Sequence, residues 1–151
     1  MKSEFFLLLI LFTLGCGQAP SPTPVTVDPQ LQPYFQAFEN DIGVSTAGIS
    51  AQFATPQLTS PLGEVIGECQ IWSDGTRLIQ IDPGFWATTS QLGRMQILVH
   101  ELGHCAMYMQ HITSLLTTGC PTSIMYPIFF GDTPCYDNNE GYYFQELASH
   151  K

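Results

Sequence analysis

Apolar residues recur with a helical spacing from Leu31 onward. Leu31, Tyr34, Phe35, Phe38 and Ile42 stand three and four residues apart, which predicts a helix buried along one face. Asp28-Pro29 fits its start and Gly43 its stop. Val44 to Phe53 reads as a strand and 56–63 as a loop. Glu64 to Trp72 and Arg77 to Ile81 read as two further strands, and Ser73-Asp74-Gly75-Thr76 joins them. Asp-Gly between two apolar runs is a hairpin signal. Asp82-Pro83-Gly84 ends the third strand. From Thr88 to Met109 the helical period returns, with Leu92, Met95, Gln96, Val99, Leu102, Gly103 and Ala106 on one face. A last helix is expected around Asn139 to Leu147, and no internal repeat is present. The pattern predicts one small α+β domain over 28–151, a short twisted sheet packed on the long helix.

The N-terminal region follows other rules. Met1-Lys2 is a short positive start, and Phe5 to Leu14 is almost unbroken Phe, Leu and Ile. That run is shorter than the ~20 residues that span a bilayer, but it suits the core of a signal peptide. It ends in Thr13-Leu14-Gly15-Cys16, which resembles a bacterial lipobox. The resemblance implies that 1–15 are removed and that Cys16 carries lipid. An ordinary secretory signal cut a few residues further on is the alternative. Residues 16–27, rich in Pro, Ser and Thr, read as an extended tether. The expectation is an exported protein, lipid-anchored through Cys16 to a bacterial cell-envelope membrane, its domain facing the periplasm or the exterior.

With Cys16 set aside, Cys69, Cys105, Cys120 and Cys135 remain, an even set that suggests two disulfides in an exported chain. Three connectivities are open. Cys105 and Cys120, which flank the richest motifs, are the favoured pair, and free buried thiols are the alternative.

Composition narrows the partners. Hydrophobic residues make up 44% of the 151 residues, too many for a disordered chain. The net charge is −9, and Lys and Arg total 4, so there is no basic surface to neutralise nucleic-acid phosphates. The same scarcity argues against docking on anionic lipid by charge.

The long predicted helix carries His100-Glu101-Leu102-Gly103-His104, an H-E-x-x-H motif. Positions i and i+4 share one helix face, so both imidazoles reach a single zinc ion, and Glu101 projects beside it as a candidate general base. A catalytic zinc site needs a third protein ligand. His111 is the leading candidate. On a continued helix it would lie ~10.5 Å beyond His104, too far for one ion, so the chain must leave the helix between them. Glu140 and Glu146 on the last helix are the competing donors, in a two-His-one-Glu arrangement like that of thermolysin. Their plainer readings are a helix-start carboxylate and a solvated face. His150 reads as a loose terminal residue.

His100-Glu101-Leu102-Gly103-His104, then His111, then Ser123-Ile124-Met125-Tyr126-Pro127, resembles the metzincin metalloproteases, matrixins most closely. The resemblance implies one catalytic Zn²⁺ held by His100, His104 and His111, with Glu101 as general base. It implies Met125 in a Met-turn beneath the metal, where plain core packing is the simpler role for the same residue. The implied activity is zinc-dependent peptide-bond hydrolysis on a peptide or protein substrate. The implied fold is a small metzincin-like α+β domain with active-site helix, Met-turn and C-terminal helix. Two departures stand out. Met107 occupies the position where the family has a turn glycine, and His111 comes one residue later than the family's third histidine. Tyr126 is a candidate transition-state hydrogen-bond donor or, more simply, a packed aromatic. Strand 64–72, as an exposed edge, is expected to pair with an extended peptide. The alternative function is a non-catalytic zinc-containing lipoprotein that binds a peptide or protein, and such a module has no need of Glu101.

Overall fold

A computed structural model describes residues 24–55, 58–60 and 63–151. The signal segment, Cys16 and the tether up to residue 23 lie outside the described residues.

Helix α1 (Gln32–Ile42) buries Phe35, Phe38 and Ile42, with Leu31 buried at its start. Asp28 prepares that start: its carboxylate accepts from the Gln30 N–H at 2.9 Å, and its carbonyl accepts from Leu31 and Gln32. Gly43 stops the helix at φ 76°, a left-handed conformation that glycine adopts without steric cost. Truncating Phe38, which is fully buried, to alanine should cost about 3–5 kcal/mol.

The first strand is shorter than the apolar run suggests. β1 (Ile49–Phe53) begins only after a turn. The Glu39 carboxylate draws in the Thr46 N–H and hydroxyl, each at 2.7 Å, which holds its pKa below the ordinary carboxyl value. Gly48 then turns at φ 81°. The segment read as a loop holds a small antiparallel pair, β2 (Thr59–Ser60) with β3 (Gly63–Glu64). β4 (Gly67–Ile71) and β5 (Arg77–Ile81) form the expected hairpin, but the strand expected from Glu64 is broken at residues 65–66, Glu64 pairing in β3 instead. The Asp74 carboxylate accepts the Thr76 N–H at its tip.

The sheet order is β1-β5-β4. β1 runs parallel to β5, with Ile49 opposite Arg77 and Phe53 opposite Ile81. β4 is antiparallel to β5, with Cys69 opposite Ile79. β4 is therefore an edge strand, as expected. Ile49, Ala51, Ile79 and Ile81 turn inward, the period-two burial of a sheet with one covered face.

The long helical stretch divides. Asp82 caps α2 (Pro83–Thr88) by accepting from the Phe85 N–H at 2.7 Å, with Pro83 at the helix start. Thr89 is extended, and Ser90 then caps α3 (Gln91–Met107) by accepting from the Gly93 N–H at 3.0 Å. The Asp132 carboxylate clamps this junction from across the chain, accepting the Thr89 and Ser90 hydroxyls. Helix α3 packs on β4 and β5 on one side and on α1 on the other. A short α4 (Pro134–Asp137) precedes the C-terminal α5 (Glu140–Ala148), which packs against α1. Among the described residues, no helix is long and apolar enough to cross a membrane.

The disulfide pairing corrects the sequence expectation. Cys105 bonds Cys69, not Cys120, and Cys120 bonds Cys135. The physical reason lies in the packing: Cys105 is fully buried where α3 lies on β4, so the nearest thiol is on the strand. Cys120 lies on the far loop, where Cys135 on α4 comes to it.

Candidate metal centre

Helix α3 carries His100 and His104 one turn apart, and their ring nitrogens Nε2 lie 3.1 Å from each other. The chain leaves the helix at Tyr108, the helix cap, at φ 57° and ψ 27°. This is the only non-glycine residue with positive φ among the described residues. The reversal falls one residue beyond Met107, which remains helical, matching the one-residue lag of His111. Met109 then folds back, donating its N–H to the Gly103 carbonyl at 3.1 Å. Two residues further on, His111 Nε2 stands 3.2 Å from His104 Nε2.

The rings are held from behind. His100 Nδ1 bonds the Ile124 carbonyl at 2.8 Å, and His104 Nδ1 bonds the Met109 carbonyl at 2.7 Å. A carbonyl only accepts, so each Nδ1 carries the proton and each Nε2 presents a lone pair. Two such lone pairs 3.1 Å apart repel rather than bond. A shared cation removes that conflict. Three nitrogens bound at 2.0–2.1 Å to a tetrahedral ion would stand about 3.3 Å apart. The 3.1 and 3.2 Å separations match that figure closely. His100, His104 and His111 therefore form a group that could hold a metal ion, their donor atoms all within 4.8 Å of one another. Burial drives the His100 imidazole down to about 4 and lowers that of His111 as well, which favours the neutral, ligating form.

The turn beneath the helix is built by Ser123–Tyr126. The Ser123 hydroxyl accepts from the Met125 N–H at 3.0 Å, and its carbonyl accepts from Tyr126. The turn therefore aims the Ile124 carbonyl at His100. It also seats Met125, fully buried, against Gly103 of α3. The Met125 carbonyl accepts from Ile112 at 3.0 Å, tying the turn to the residue after His111. Tyr126 is half-buried and meets Phe130 edge-on at 6.4 Å.

Glu101 lies on the same helix, 4% exposed, facing β4. Gly67 makes room for it: a Cβ there would come within 3.0 Å of Glu101 Oε1. Burial pushes the Glu101 carboxyl up to about 8, Glu68 pushes the same way, and the Cys69 N–H bonded to it pulls down. A divalent cation held by the three histidines would act in the lowering direction as well. Among the described residues no Lys or Arg lines this cleft. Among the described residues Arg77 bonds the Cys105 and Ala47 carbonyls, Arg94 the Trp86 carbonyl, and Lys151 the Ile42 carbonyl. The cleft, about 420 Å³, is walled by Gly67–Cys69 and Ile71 of β4, by Glu101 and His104, and by Tyr108–His111.

The competing donors are elsewhere. Glu140 lines a separate cavity with Asp41, and both burial and Asp41 raise its pKa. Glu146 pairs with His150 at 2.9 Å, so the terminal histidine is tied down rather than loose. Sequence reasoning missed the Cys69–Cys105 bond, which staples the edge strand to the residue after His104, and the cleft role of Tyr108.

No protein-family description, no curated protein and no solved structure matches this chain.

Proposed function

We propose that this chain is a zinc-dependent peptidase of the metzincin kind its motifs resemble, with Glu101 as general base. The observation that carries the reading is the convergence of three imidazoles, His104 Nε2 standing at a tetrahedral ion's spacing from both His100 Nε2 and His111 Nε2, beside a buried carboxylate whose cleft holds no cationic side chain among the described residues. An all-imidazole donor set suits zinc, and three protein ligands leave a fourth position open for chemistry. When bound, zinc supplies Lewis acidity toward a peptide carbonyl and makes a neighbouring water more acidic.

The chain's own groups do the rest. The Ile124 and Met109 carbonyls fix the tautomers of His100 and His104. Glu101 takes the proton of the attacking water and passes it to the leaving amine. The Cys69 N–H beside Glu101 favours its carboxylate form. The free edge of β4 offers main-chain donors and acceptors to an extended peptide. A purely binding module gains nothing from burying Glu101 here. The lipid anchor belongs to the same proposal: Cys16 tethers the domain to a bacterial envelope membrane, and Cys16→Ala should release it from the membrane fraction.

The test is a paired one. Glu101→Ala should keep about one zinc per chain and lose cleavage of a peptide library, by ~100-fold or more if a general base is removed. A Glu101→Ala protein that cleaves as fast as its parent contradicts the assignment.

A further inference from the structure

Tyr108 holds a left-handed conformation that costs a residue with a Cβ about 1–2 kcal/mol, where glycine would be unstrained. No packing repays this, because the side chain is 63% exposed. It lines the metal cleft, and strained residues concentrate where ligands are held.

The opposite wall supplies a partner. Gly67 abuts Ile97 and Glu101, and Cys69 is bonded to Cys105. Two strand residues advance ~6.8 Å and one helical turn of four residues ~6.0 Å, so β4 and α3 keep step. The next residue on that face of β4, Ile71, arrives where α3 ends in Tyr108. Ile71 is 45% exposed and lines the same cleft, as does the half-buried Met109.

Resting on the reading of this cleft as a peptide site, we infer that Tyr108, Ile71 and Met109 form an apolar subsite. It receives a large aliphatic or aromatic side chain of a peptide laid along the free edge of β4. Tyr108 is thus a specificity-determining residue, and its strained backbone serves both to turn the chain toward His111 and to present the ring at the cleft mouth. A second copy or a lipid surface would not need the alignment of these three apolar residues with the ligand histidines.

The experiment uses a set of peptides that differ only in carrying Leu, Phe or Ser at each position around one bond. Cleavage is measured with the zinc-loaded protein, and binding by calorimetry with its zinc-loaded Glu101→Gln variant. Tyr108→Gly is the informative substitution, since glycine keeps the left-handed turn and removes only the ring; Tyr108→Phe keeps the ring, and Ile71→Ser removes the opposite wall. The expected result is a preference for Leu or Phe over Ser of about tenfold or more at one position. That preference should fall in Tyr108→Gly and Ile71→Ser through KM rather than kcat, and persist in Tyr108→Phe, with zinc content unchanged throughout. No preference in the parent protein, or a preference that survives both Tyr108→Gly and Ile71→Ser, overturns the subsite. Selective binding without cleavage keeps the subsite and removes the peptidase reading. A protein that neither binds nor cleaves any of the peptides overturns both.

Discussion

Gly103, between the two motif histidines' turns on α3, offers a sharp test of how the metal helix is seated. A Cβ at this position would lie closer to Met125 Sδ than atoms can approach, and 3.1 Å from its Cε. Met125 is fully buried, so its sulfur has no empty space to enter. Overpacking of this kind costs about 1–3 kcal/mol, and the gain from replacing a helical glycine by alanine returns about 1 kcal/mol. Gly103→Ala should therefore destabilise by up to about 2 kcal/mol, a melting shift of roughly 4–8 °C for a domain of this size. The displacement should also reach the site, because the Ile124 carbonyl holds His100 and the Met125 carbonyl holds Ile112. Gly141 on α5 is the matched control. A Cβ there meets nothing within 4 Å, so Gly141→Ala should stabilise by about 0.5–1 kcal/mol. Denaturant unfolding with the disulfides intact, run with and without zinc, measures both. If Gly103→Ala gains stability as Gly141→Ala does and binds zinc as the parent does, the described seating of Met125 under the helix is wrong.

His111→Ala should weaken zinc affinity by tenfold or more in a chelator competition, whereas Glu140→Ala and Glu146→Ala should leave it unchanged. Peptide mapping without reduction should recover Cys69–Cys105 and Cys120–Cys135, and replacing the first pair by serines should destabilise by about 3–4 kcal/mol for its span of 36 residues. Burial works to raise the Asp132 pKa, but hydrogen bonds from Ser90 and Thr89 outweigh it and hold the carboxyl below its ordinary 3.8. The unfolded carboxyl thus binds protons more readily, so the stability from Asp132 is complete above about pH 4 and fades as pH falls through the lowered folded value. The difference between the parent and Asp132→Asn in pH-dependent unfolding should therefore shrink in acid. A difference that widens there would contradict this sign.

Much of the fold was legible because its longest elements carry strong periodic patterns. Phe35, Phe38 and Ile42 fall on one face of α1, and Gly43 ends it. The Asp74-Gly75 turn marks the β4–β5 hairpin. The distance argument at His111 required a break after His104, and the break occurs at Tyr108. The misses have physical causes. The Glu39 carboxylate turns the segment around Thr46 out of the strand its apolar neighbours suggest. Pro83-Gly84 reads as a breaker, although Asp82 and Pro83 are also a cap and first residue of a helix. The cysteine pairing depends on how α3 lies on β4, which no local pattern encodes. The site's ligand candidates were legible from spacing, but the carbonyls that orient them, from Ile124 and Met109, belong to backbone geometry and leave no mark in residue type.

The central claim is that one metal ion sits among His100, His104 and His111. Zinc-edge X-ray absorption on the purified protein, after dialysis to remove loosely bound metal, tests it most directly. The expected result is about one zinc per chain with three imidazole nitrogens at about 2.0–2.1 Å and no sulfur ligand, and one imidazole fewer in His111→Ala. A protein that retains no zinc, or a spectrum unchanged by His111→Ala, would contradict it.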